Sequence, residues 1–256
     1  MRRLLRGGAR LWYRARGFVP TRIEGALLRG DPDHIGFWRD VARGAWEPGT
    51  FAFLRDHLSA TSTFLDVGAW IGPVTLAAAR RCAAVYCFEP DPAAYRYLLW
   101  NLELNGVRNA SPYHAALGSR TGTRTLSGRD GAFGTSRSTL LASAGAPEIG
   151  VPCWGWQDWL EAVRPGRIDA IKVDVEGGEF ELLPAMGEYL RTERPALHLS
   201  LHAELPSESG RGAGLAGIGE AVRHYRTIRD EDGRGIALEQ ALDLAAARNV
   251  TLTFSG

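Results

Sequence analysis

The sequence predicts an α/β fold in which an open, mostly parallel β-sheet lies between layers of helices. Two features of the chain indicate this class. Short apolar runs that end in a carboxylate alternate with segments of helical periodicity, which is the order expected where helices connect parallel strands. A glycine-rich turn follows the first of these runs and leads directly into a helical segment. The composition, 45% hydrophobic and 23% charged among 256 residues, is that of an ordinary globular protein.

The chain divides into an N-terminal extension over residues 1–60 and a main domain over residues 61–256. The extension is expected to be helical and to cap the sheet. One helix is predicted over Ile35 to Val41, and a second is capped by Thr50 and runs through His57. Trp46 or Glu47, between these helices, either faces the ligand crevice or packs on the edge of the sheet.

The first 22 residues are strongly basic, with seven arginines and no acidic residue. Leu4, Leu5, Leu11 and Trp12 are interleaved with these arginines, a pattern typical of an amphipathic helix on an anionic membrane surface. We therefore expect a solvated or partly ordered terminal helix, with weak peripheral membrane contact through this segment as the alternative.

The first strand, Thr63 to Val67, ends in a tight turn that contains Gly68 and Gly72. Glycine at the first of these positions adopts backbone angles closed to other residues and lets a ligand approach the main chain. The helix that follows, Pro73 to Arg81, directs its unpaired N–H groups at such a ligand. Asp66 at the end of the strand should face the same crevice, because ligands bind outside the carboxyl ends of open α/β sheets.

The second strand, Ala84 to Glu89, ends in another carboxylate. An acid about 20 residues beyond the first strand is placed to accept both hydroxyls of a ribose. Trp70 stands where the dinucleotide fingerprint has its second glycine, so the turn disfavours a diphosphate and with it an NAD-dependent dehydrogenase. A nucleoside without phosphates on a Rossmann-like sheet indicates S-adenosylmethionine (SAM) as the cofactor.

The middle of the chain continues the sheet and then interrupts it. A helix over Ala93 to Leu104 leads to a third strand over Ala110 to Ala116, where the small side chains of Ala115 and Ala116 leave room for an adenine ring. Gly118 to Gly150, rich in glycine, serine, threonine and arginine, predicts an inserted β-hairpin and then a long loop. The polar groups that this loop offers to a substrate are Ser136, Arg137 and Ser138.

Ionisable residues occupy the apolar fourth strand, within Ile168 to Glu179. Lys172, the only lysine of the chain, and Asp174 are two residues apart, so both point to one face of the strand. Ionisable groups in an apolar strand are costly unless they are paired, which indicates either a functional site or a structural ion pair. Glu179 begins the next helix, where the helix dipole by itself favours a carboxylate.

Polar side chains line one face of the fifth strand, Pro195 to His202. His198, Ser200 and His202 alternate with leucines, as in the wall of an active site. His202 lies nearest the carboxyl end, so it is favoured over His198 as a base. The other predicted elements are a helix over Gln157 to Val163, a loop over Pro206 to Gly217, a helix over Ile218 to Arg223, a strand over Tyr225 to Ile228, a helix over Ile236 to Ala247 and a last strand over Val250 to Phe254.

Four motifs together resemble the FkbM-type SAM-dependent methyltransferases. They are Asp66-x-Gly-Ala-x-x-Gly, Phe88-Glu89-Pro90, Asn101-Leu-x-Leu-Asn105 and Lys172-Val-Asp174-Val-Glu176-Gly-x-Glu179. The resemblance implies a Rossmann-like class I methyltransferase sheet of seven strands, mostly parallel. It also implies action on hydroxyls of sugars, polyketides or other glycosylated metabolites. The cofactor contacts that it implies are Asp66, Gly68, Ala69, Gly72, Glu89 and Pro90, with Asp174 and Glu179 near the transferred methyl group.

The function expected from these features is O-methylation by in-line transfer of the SAM methyl group. His202 is the first candidate base and Asp174 the second, while Lys172 orients Asp174 or binds an acceptor oxygen; His198 and Glu179 complete the candidate catalytic set. No resident metal is expected, although a divalent ion held by Asp174, Glu179 and His202 is an alternative. A catalytically silent nucleotide- or glycan-binding module on the same fold is the alternative to an enzyme.

The net charge and the cysteines of the chain limit the class of acceptor and the cellular compartment that we expect. The expected acceptor is a small molecule or a glycan and not a nucleic acid, because the net charge is only +1. Cys82, Cys87 and Cys153 fit no metal-binding spacing and indicate reduced thiols in the cytoplasm. No apolar run reaches the roughly 18 residues that span a bilayer.

Overall fold

A computed structural model describes residues 11–128, 132–136, 138–140, 145–202 and 208–256, without the side chains of residues 208–211. The arginine-rich stretch up to Arg10, and Arg137 of the inserted loop, lie outside the described residues. The described strands are β1 (Val19–Ile23), β2 (Ala26–Gly30), β3 (Thr63–Val67), β4 (Ala84–Phe88), β5 (Ala110–Tyr113), β6 (Ala116–Gly118), β7 (Gly122–Gly128), β8 (Ser138–Thr139), β9 (Glu148–Gly155), β10 (Ala170–Val173), β11 (Ala196–Leu201), β12 (Thr227–Arg229) and β13 (Val250–Ser255). The described helices are α1 (Ile35–Ala42), α2 (Pro48–His57), α3 (Pro73–Ala79), α4 (Pro92–Leu104), α5 (Trp156–Val163), α6 (Glu179–Glu193), α7 (Glu208–Val222) and α8 (Leu238–Ala247), with a 3-10 helix over Pro32–His34.

The central sheet has seven strands in the order β12-β13-β11-β10-β3-β4-β5. Neighbouring strands from β11 to β5 run parallel, whereas β13 is antiparallel to both β11 and β12. The strand order reverses between β3 and β10, and a ligand crevice is expected at such a switch point. The predicted Rossmann-like sheet of seven mostly parallel strands is confirmed.

Helices cover both faces of the sheet and enclose two hydrophobic cores. On one face, α5 to α8 pack over Leu65, and the core includes Trp156 and Trp159. On the other face, α1 to α4 pack over Phe64, and the core includes Trp38. Phe64 and Leu65 enter opposite cores because successive side chains of a strand point to opposite faces.

The N-terminal extension contains a β-hairpin beside its helices, which the expectation of a helical extension did not include. Strands β1 and β2 pair antiparallel around the two-residue turn Glu24-Gly25. Both turn residues have positive φ, 51° and 78°, as the hairpin turn of type I′ requires. Thr50 is also not a cap, because α2 begins at Pro48 and the N-cap position is Glu47.

Asn101 of α4 and Asn105, the residue that follows this helix, fasten the hairpin to the main domain. Asn101 Oδ1 accepts the Asp31 N–H at 2.8 Å, and its Nδ2 donates to the Ile71 carbonyl at 2.9 Å. Asn105 bonds both the N–H and the carbonyl of Arg29. The Asn-Leu-x-Leu-Asn motif therefore joins the extension to the glycine turn.

The inserted segment forms a second sheet, in the order β6-β9-β7-β8, which is more than the predicted hairpin. The predicted third strand ends at Tyr113, and the chain crosses at Ala116 into this second sheet, where β6 runs parallel to β9. Strand β7 pairs antiparallel with β9 from Gly122 to Ser127, so the hairpin partner of β7 lies beyond the long loop.

Helix α7 starts at Glu208, so the predicted loop over Pro206 to Gly217 is wrong from residue 208 onward. Its glycines favour a loop locally, but they permit close packing on α6. A Cβ on Gly214 would lie 2.6 Å from the Phe180 ring, and one on Gly217 would lie 3.2 Å from Pro184. Tertiary packing thus overrides the low helix propensity of glycine. None of the described helices combines the length and the apolar character needed to cross a membrane.

Candidate active site

A pocket opens at the carboxyl ends of β3, β4, β10 and β11, where the sheet topology predicts it. The extension contributes Trp46 and Glu47 to its wall. The predicted site residues that line it are Gly68, Ala69, Glu89, Pro90, Ala116, Lys172, Asp174 and His202. The predicted site residues that do not line it are Asp66, Gly72, Ala115, Glu179 and His198.

The glycine turn forms the floor of the pocket. Gly68 has a φ of +85°, and the N–H groups of Gly68 and Ala69 both donate to the Phe88 carbonyl, at 3.0 and 2.9 Å. A Cβ on Gly68 would lie only 1.9 Å from the carbonyl oxygen of Asp174. Glycine is therefore required here both by its backbone angle and by the close approach of the next strand.

Gly72 and Ala115 are packed against neighbouring side chains and do not line the pocket. Gly72 has a φ of +90°, and a Cβ there would lie 2.6 Å from Leu98 of α4. Ala115 is 3% exposed and belongs to the core beneath the pocket. Their prediction as cofactor contacts is therefore not supported by their placement, although the neighbouring Ala116 does line the pocket.

Glu89 is held rigidly at the end of β4. Its two oxygens accept the N–H groups of Trp70 at 2.7 Å and of Asp91 at 2.8 Å. Burial raises the pKa of Glu89 to about 7, against the lowering effect of these two N–H donors. Each carboxylate oxygen keeps a further lone pair, so Glu89 can also accept ribose hydroxyls.

Lys172 lies between two carboxylates and the glycine turn. Its Nζ donates to the Gly68 carbonyl at 2.8 Å and lies 3.6 Å from Asp66 Oδ1 and 3.5 Å from Asp174 Oδ2. Burial lowers the pKa of Lys172, but the charges of Asp174, Asp66 and Glu47 outweigh it and hold the pKa above its usual value. Lys172 is therefore an ammonium that links the turn to β10.

Asp66 acts behind the pocket and not inside it, so its prediction as a direct cofactor contact is not supported by its placement. It is fully buried, and its Oδ2 accepts the Thr75 hydroxyl at 2.6 Å; its Oδ1 makes no hydrogen bond within the described part of the chain and lies 3.6 Å from Lys172 Nζ. Burial raises the pKa of Asp66 despite the opposing charge of Lys172. Asp66 therefore holds the turn through Lys172.

His202 sits among three carboxylates. Its Nδ1 lies 2.7 Å from Glu179 Oε1, and its Nε2 lies 3.6 Å from both Asp174 Oδ1 and Glu176 Oε1. Burial lowers the pKa of His202, but the hydrogen bond with Glu179 and the three negative charges raise it to about 9. The ring is therefore protonated at neutral pH, which is unfavourable for the predicted role as a base.

Glu179 is fully buried and shapes the turn between β10 and α6. Oε1 accepts the Val175 N–H at 3.1 Å, and Oε2 accepts the Gly177 N–H at 2.7 Å. The ligand atoms of Asp174, Glu179 and His202 lie within 4.8 Å of one another, which is compatible in distance with a divalent ion. Glu179 Oε1 already accepts hydrogen bonds from both the Val175 N–H and the protonated His202, so these contacts are also those expected of a cluster of ion pairs.

His198 is buried beside the pocket and is bonded on both ring nitrogens. Nε2 lies 3.0 Å from the Thr50 hydroxyl, and Nδ1 lies 3.0 Å from the Thr253 hydroxyl. Burial and the charge of Lys172 lower the pKa of His198 to about 4, so the ring is neutral. His198 thus connects the extension to the last strand and does not reach the pocket directly.

The C-terminal part of the chain supplies pocket residues that the sequence analysis did not identify. Three of them come from the start of β13, which lies at the pocket because this strand runs antiparallel to both of its neighbours, and Glu231 comes from the turn after β12. If the last strand had been predicted as antiparallel, its first residues would have been expected at the pocket. The C-terminal residues concerned are Glu231, Asn249, Val250 and Thr251.

The floor of the pocket suits a nucleoside without phosphates. Glu89 offers a carboxylate for ribose hydroxyls, Gly68 exposes the main chain, and Ala116 leaves space beside them. Lys172 is engaged by two carboxylates and by the Gly68 carbonyl, so it is not placed to bind a phosphate. These features fit SAM.

Comparison with known proteins identifies the family to which this chain is similar. The model of the methyltransferase FkbM domain matches residues 66–227, which is more than half of the chain. No curated protein matches the chain.

Solved methyltransferase structures are similar in outline. The methyltransferase FkbM from Methylobacillus flagellatus KT is 17% identical with a TM-score of 0.47; the match covers 77% of this chain but 44% of that one, so this chain spans less than half of that protein. M. jannaschii TYW2 in complex with AdoMet is 15% identical with a TM-score of 0.45, covering 93% of this chain and 85% of that one. An rRNA methylase from Streptococcus thermophilus is 13% identical with a TM-score of 0.46, covering 80% of this chain and 92% of that one.

The matched region contains the glycine turn, Glu89 and the acidic motif from Lys172 to Glu179, which together form most of the pocket floor. The resemblance seen in the sequence and the choice of cofactor are thereby confirmed. The chain belongs to the FkbM family of SAM-dependent methyltransferases.

Proposed function

We propose that this protein methylates a hydroxyl group of a sugar, a glycosylated metabolite or a polyketide-like small molecule. The observation that supports a hydroxyl acceptor is the concentration of acidic groups at one end of the pocket. Glu47, Asp174 and Glu176 line it there together with His202. Carboxylates accept hydrogen bonds from neutral hydroxyls, and they repel anionic acceptors such as phosphates.

Different residues of the pocket have different roles in catalysis. SAM, when bound, supplies a methyl group activated by a positively charged sulfur. Glu89 and the glycine turn hold the nucleoside, and the acidic end holds the acceptor. Alignment of this kind can contribute roughly 7–11 kcal/mol to the lowering of the barrier. Lys172 lies 3.5 Å from Asp174 Oδ2 and donates to the Gly68 carbonyl, so it holds both groups in place at the same time.

The carboxylates around His202 keep its ring protonated, and this determines the role that the residue can have in catalysis. A protonated imidazole donates hydrogen bonds and carries positive charge, so it can hold an acceptor oxygen or the Asp174 carboxylate in place. It cannot take up a proton in that state. We therefore assign His202 to positioning, and we look for the base among the carboxylates of the pocket.

The first experiment separates enzyme from binding module. SAM and S-adenosylhomocysteine are titrated calorimetrically into the wild type, and turnover is then followed as release of S-adenosylhomocysteine in the presence of neutral methyl glycosides. Transfer to a hydroxyl, located by NMR of the product, supports the proposal. Cofactor binding without transfer to any of these acceptors favours the catalytically silent nucleotide- or glycan-binding module. Activity that survives EDTA argues against a removable metal at Asp174, Glu179 and His202.

The partners and the location are part of this proposal. We expect no nucleic-acid substrate, because the net charge is +1 and the acceptor end of the pocket is acidic. The free thiols Cys82, Cys87 and Cys153 suit the cytoplasm. Weak membrane contact stays a prediction; Leu11 and Trp12, 70% and 54% exposed, are available for it, and flotation with anionic liposomes tests it.

A further inference from the structure

Glu47 enters the pocket from outside the matched family domain, which covers residues 66–227. It is the last residue before α2, and its backbone is left-handed, with a φ of 39° and a ψ of 57°. Such a conformation is costly for a residue with a side chain and persists only where the surrounding structure enforces it. Of the six described non-glycine residues with positive φ, three line this pocket, namely Glu47, Trp70 and Glu176.

The Glu47 carboxylate is fixed by a chain of hydrogen bonds. The Thr50 hydroxyl donates to Glu47 Oε2 at 2.9 Å and lies 3.0 Å from His198 Nε2. A hydroxyl has one proton to donate, so His198 Nε2–H must donate to Thr50, and the Thr253 hydroxyl then donates to His198 Nδ1. The chain orients Oε2. Among the described residues, no hydrogen bond is made to Oε1.

Four other acids line the pocket, and each has a charged or hydrogen-bonding partner; Glu176 Oε1 lies 3.6 Å from His202 Nε2. Asp174 faces Lys172 at 3.5 Å and His202 at 3.6 Å, and Glu231 pairs with Arg248 at 2.7 Å. Glu89 binds two backbone N–H groups on the cofactor side of the pocket. Glu47 thus combines a fixed position with an oxygen that a ligand can reach.

We propose that Glu47 is the general base that removes the proton from the acceptor hydroxyl. This inference rests on the proposed O-methylation. The acceptor O–H proton moves to Glu47 Oε1, the O–CH3 bond forms, and the S–CH3 bond breaks with its electron pair left on sulfur, giving neutral S-adenosylhomocysteine. Glu47 then returns its proton to the solvent.

The electrostatics agree with this role. Burial and the charges of Asp174 and Asp66 raise the pKa of Glu47 to about 7, against the lowering effects of Lys172 and the Thr50 hydroxyl. A base with a pKa near the working pH is the most effective one. His198, the remaining titratable neighbour along the hydrogen-bond chain, is neutral in this range.

The test compares Glu47→Gln and Glu47→Asp with a matched control, Glu24→Gln. Glu24 also lies in the extension and also has positive φ, 51°, but its partners are the surface arginines Arg55 and Arg81. SAM affinity is measured by calorimetry, and turnover is measured with neutral methyl glycosides at saturating SAM, each across pH 5.5–9. We expect Glu47→Gln to bind SAM within about twofold of wild type and to lose roughly 10²–10⁴-fold in kcat, without the rise of kcat/KM near pH 7.

Glu47→Asp keeps a carboxylate, so it should recover part of the turnover and the rise with pH, while Glu24→Gln behaves as wild type. If Glu47→Gln keeps the kcat and the pH profile of the wild type, the assignment of Glu47 as the base is overturned, whereas the proposed O-methylation is not affected. If Glu47→Gln does not fold, a Glu47→Asp variant that lacks the pH rise has the same consequence. If the wild type binds SAM but transfers no methyl group, the proposed O-methylation is overturned, and so is the assignment of Glu47 as its general base.

Discussion

The imidazole Nδ1 of His202 lies 2.7 Å from Oε1 of Glu179, joining the end of β11 to the start of α6. The same carboxylate accepts the N–H groups of Val175 and Gly177. One buried acid therefore fixes both the turn after β10 and the histidine ring at the acceptor end of the pocket. Glu179 supports the site from behind and does not line it.

The first prediction concerns the stability that this pair confers. The folded-state pKa of His202 is about 9, above the ordinary value of 6.5, so its contribution is fully present below pH 6.5 and is lost as the pH rises through 9. At about 1.4 kcal/mol per pKa unit, the wild type should lose roughly 2–3 kcal/mol of unfolding free energy over this window. Urea denaturation of the wild type and His202→Gln at pH 6 and 9.5 measures this loss. The same loss in both proteins would show that His202 is not its source.

The second prediction concerns cofactor affinity and Glu89. Because burial raises the pKa of Glu89 to about 7, its carboxylate form, which is the form expected to accept ribose hydroxyls, is depleted at lower pH. SAM affinity should therefore fall up to about tenfold per pH unit below 7. Glu89→Gln should bind SAM at least about tenfold more weakly at pH 8 and show little of this pH dependence. Calorimetry from pH 5.5 to 8.5 tests it, with the exposed Glu103→Gln as control, and a Glu89→Gln curve parallel to wild type would contradict it.

The strands of the sheet could be predicted because their signals are local. Thr63–Val67 was predicted with its exact bounds, and Ala84–Phe88 to within one residue, since each is an apolar run with a carboxylate at or near its end. Parallel pairing then brings their carboxyl ends together. In β10, Lys172 lies directly beside Asp66 of β3 and His198 of β11, which explains why these residues could be grouped from sequence alone.

The roles inside that group could not be predicted, because burial decides them. Asp66 ends a strand just as Glu89 does, yet Asp66 is fully buried under Lys172 while Glu89 reaches the pocket. His202 lines the pocket as expected of a base, but three carboxylates from the turn after β10 and the start of α6 keep it protonated. Glu47 carries no sequence signal for a base, since its approach to Asp174 depends on how the extension folds over the sheet.

The third prediction separates backbone strain from steric clash in the glycine turn. Gly25 and Gly68 have similar φ values, +78° and +85°, but only at Gly68 would a Cβ meet another atom, 1.9 Å from the Asp174 oxygen. Gly25→Ala should cost about 1–2 kcal/mol of unfolding free energy, the cost of the left-handed backbone. Gly68→Ala should cost several kcal/mol more and abolish SAM binding. Urea denaturation and calorimetry compare the two, and equal costs would contradict the role of close approach.

The fourth prediction concerns the charge pair beneath the pocket. Lys172→Met leaves Asp66 buried without a counter-charge, and loss of one partner of a buried ion pair typically costs about 3–5 kcal/mol. Without Lys172 the folded-state pKa of Asp66 rises further, so the stability of this variant is greatest at low pH and falls as the pH rises through that pKa. Urea denaturation at pH 5.5 and 8 should therefore show a larger deficit at pH 8.

The double variant Asp66→Asn/Lys172→Met is the control for this interpretation. It removes both charges and keeps a side chain of similar size at each position, so it should recover much of the stability lost in Lys172→Met and show no added deficit at pH 8. Recovery identifies the uncompensated carboxylate as the cause. A double variant as unstable as Lys172→Met would instead assign the loss to the hydrogen bond between Lys172 Nζ and the Gly68 carbonyl, which both variants lack.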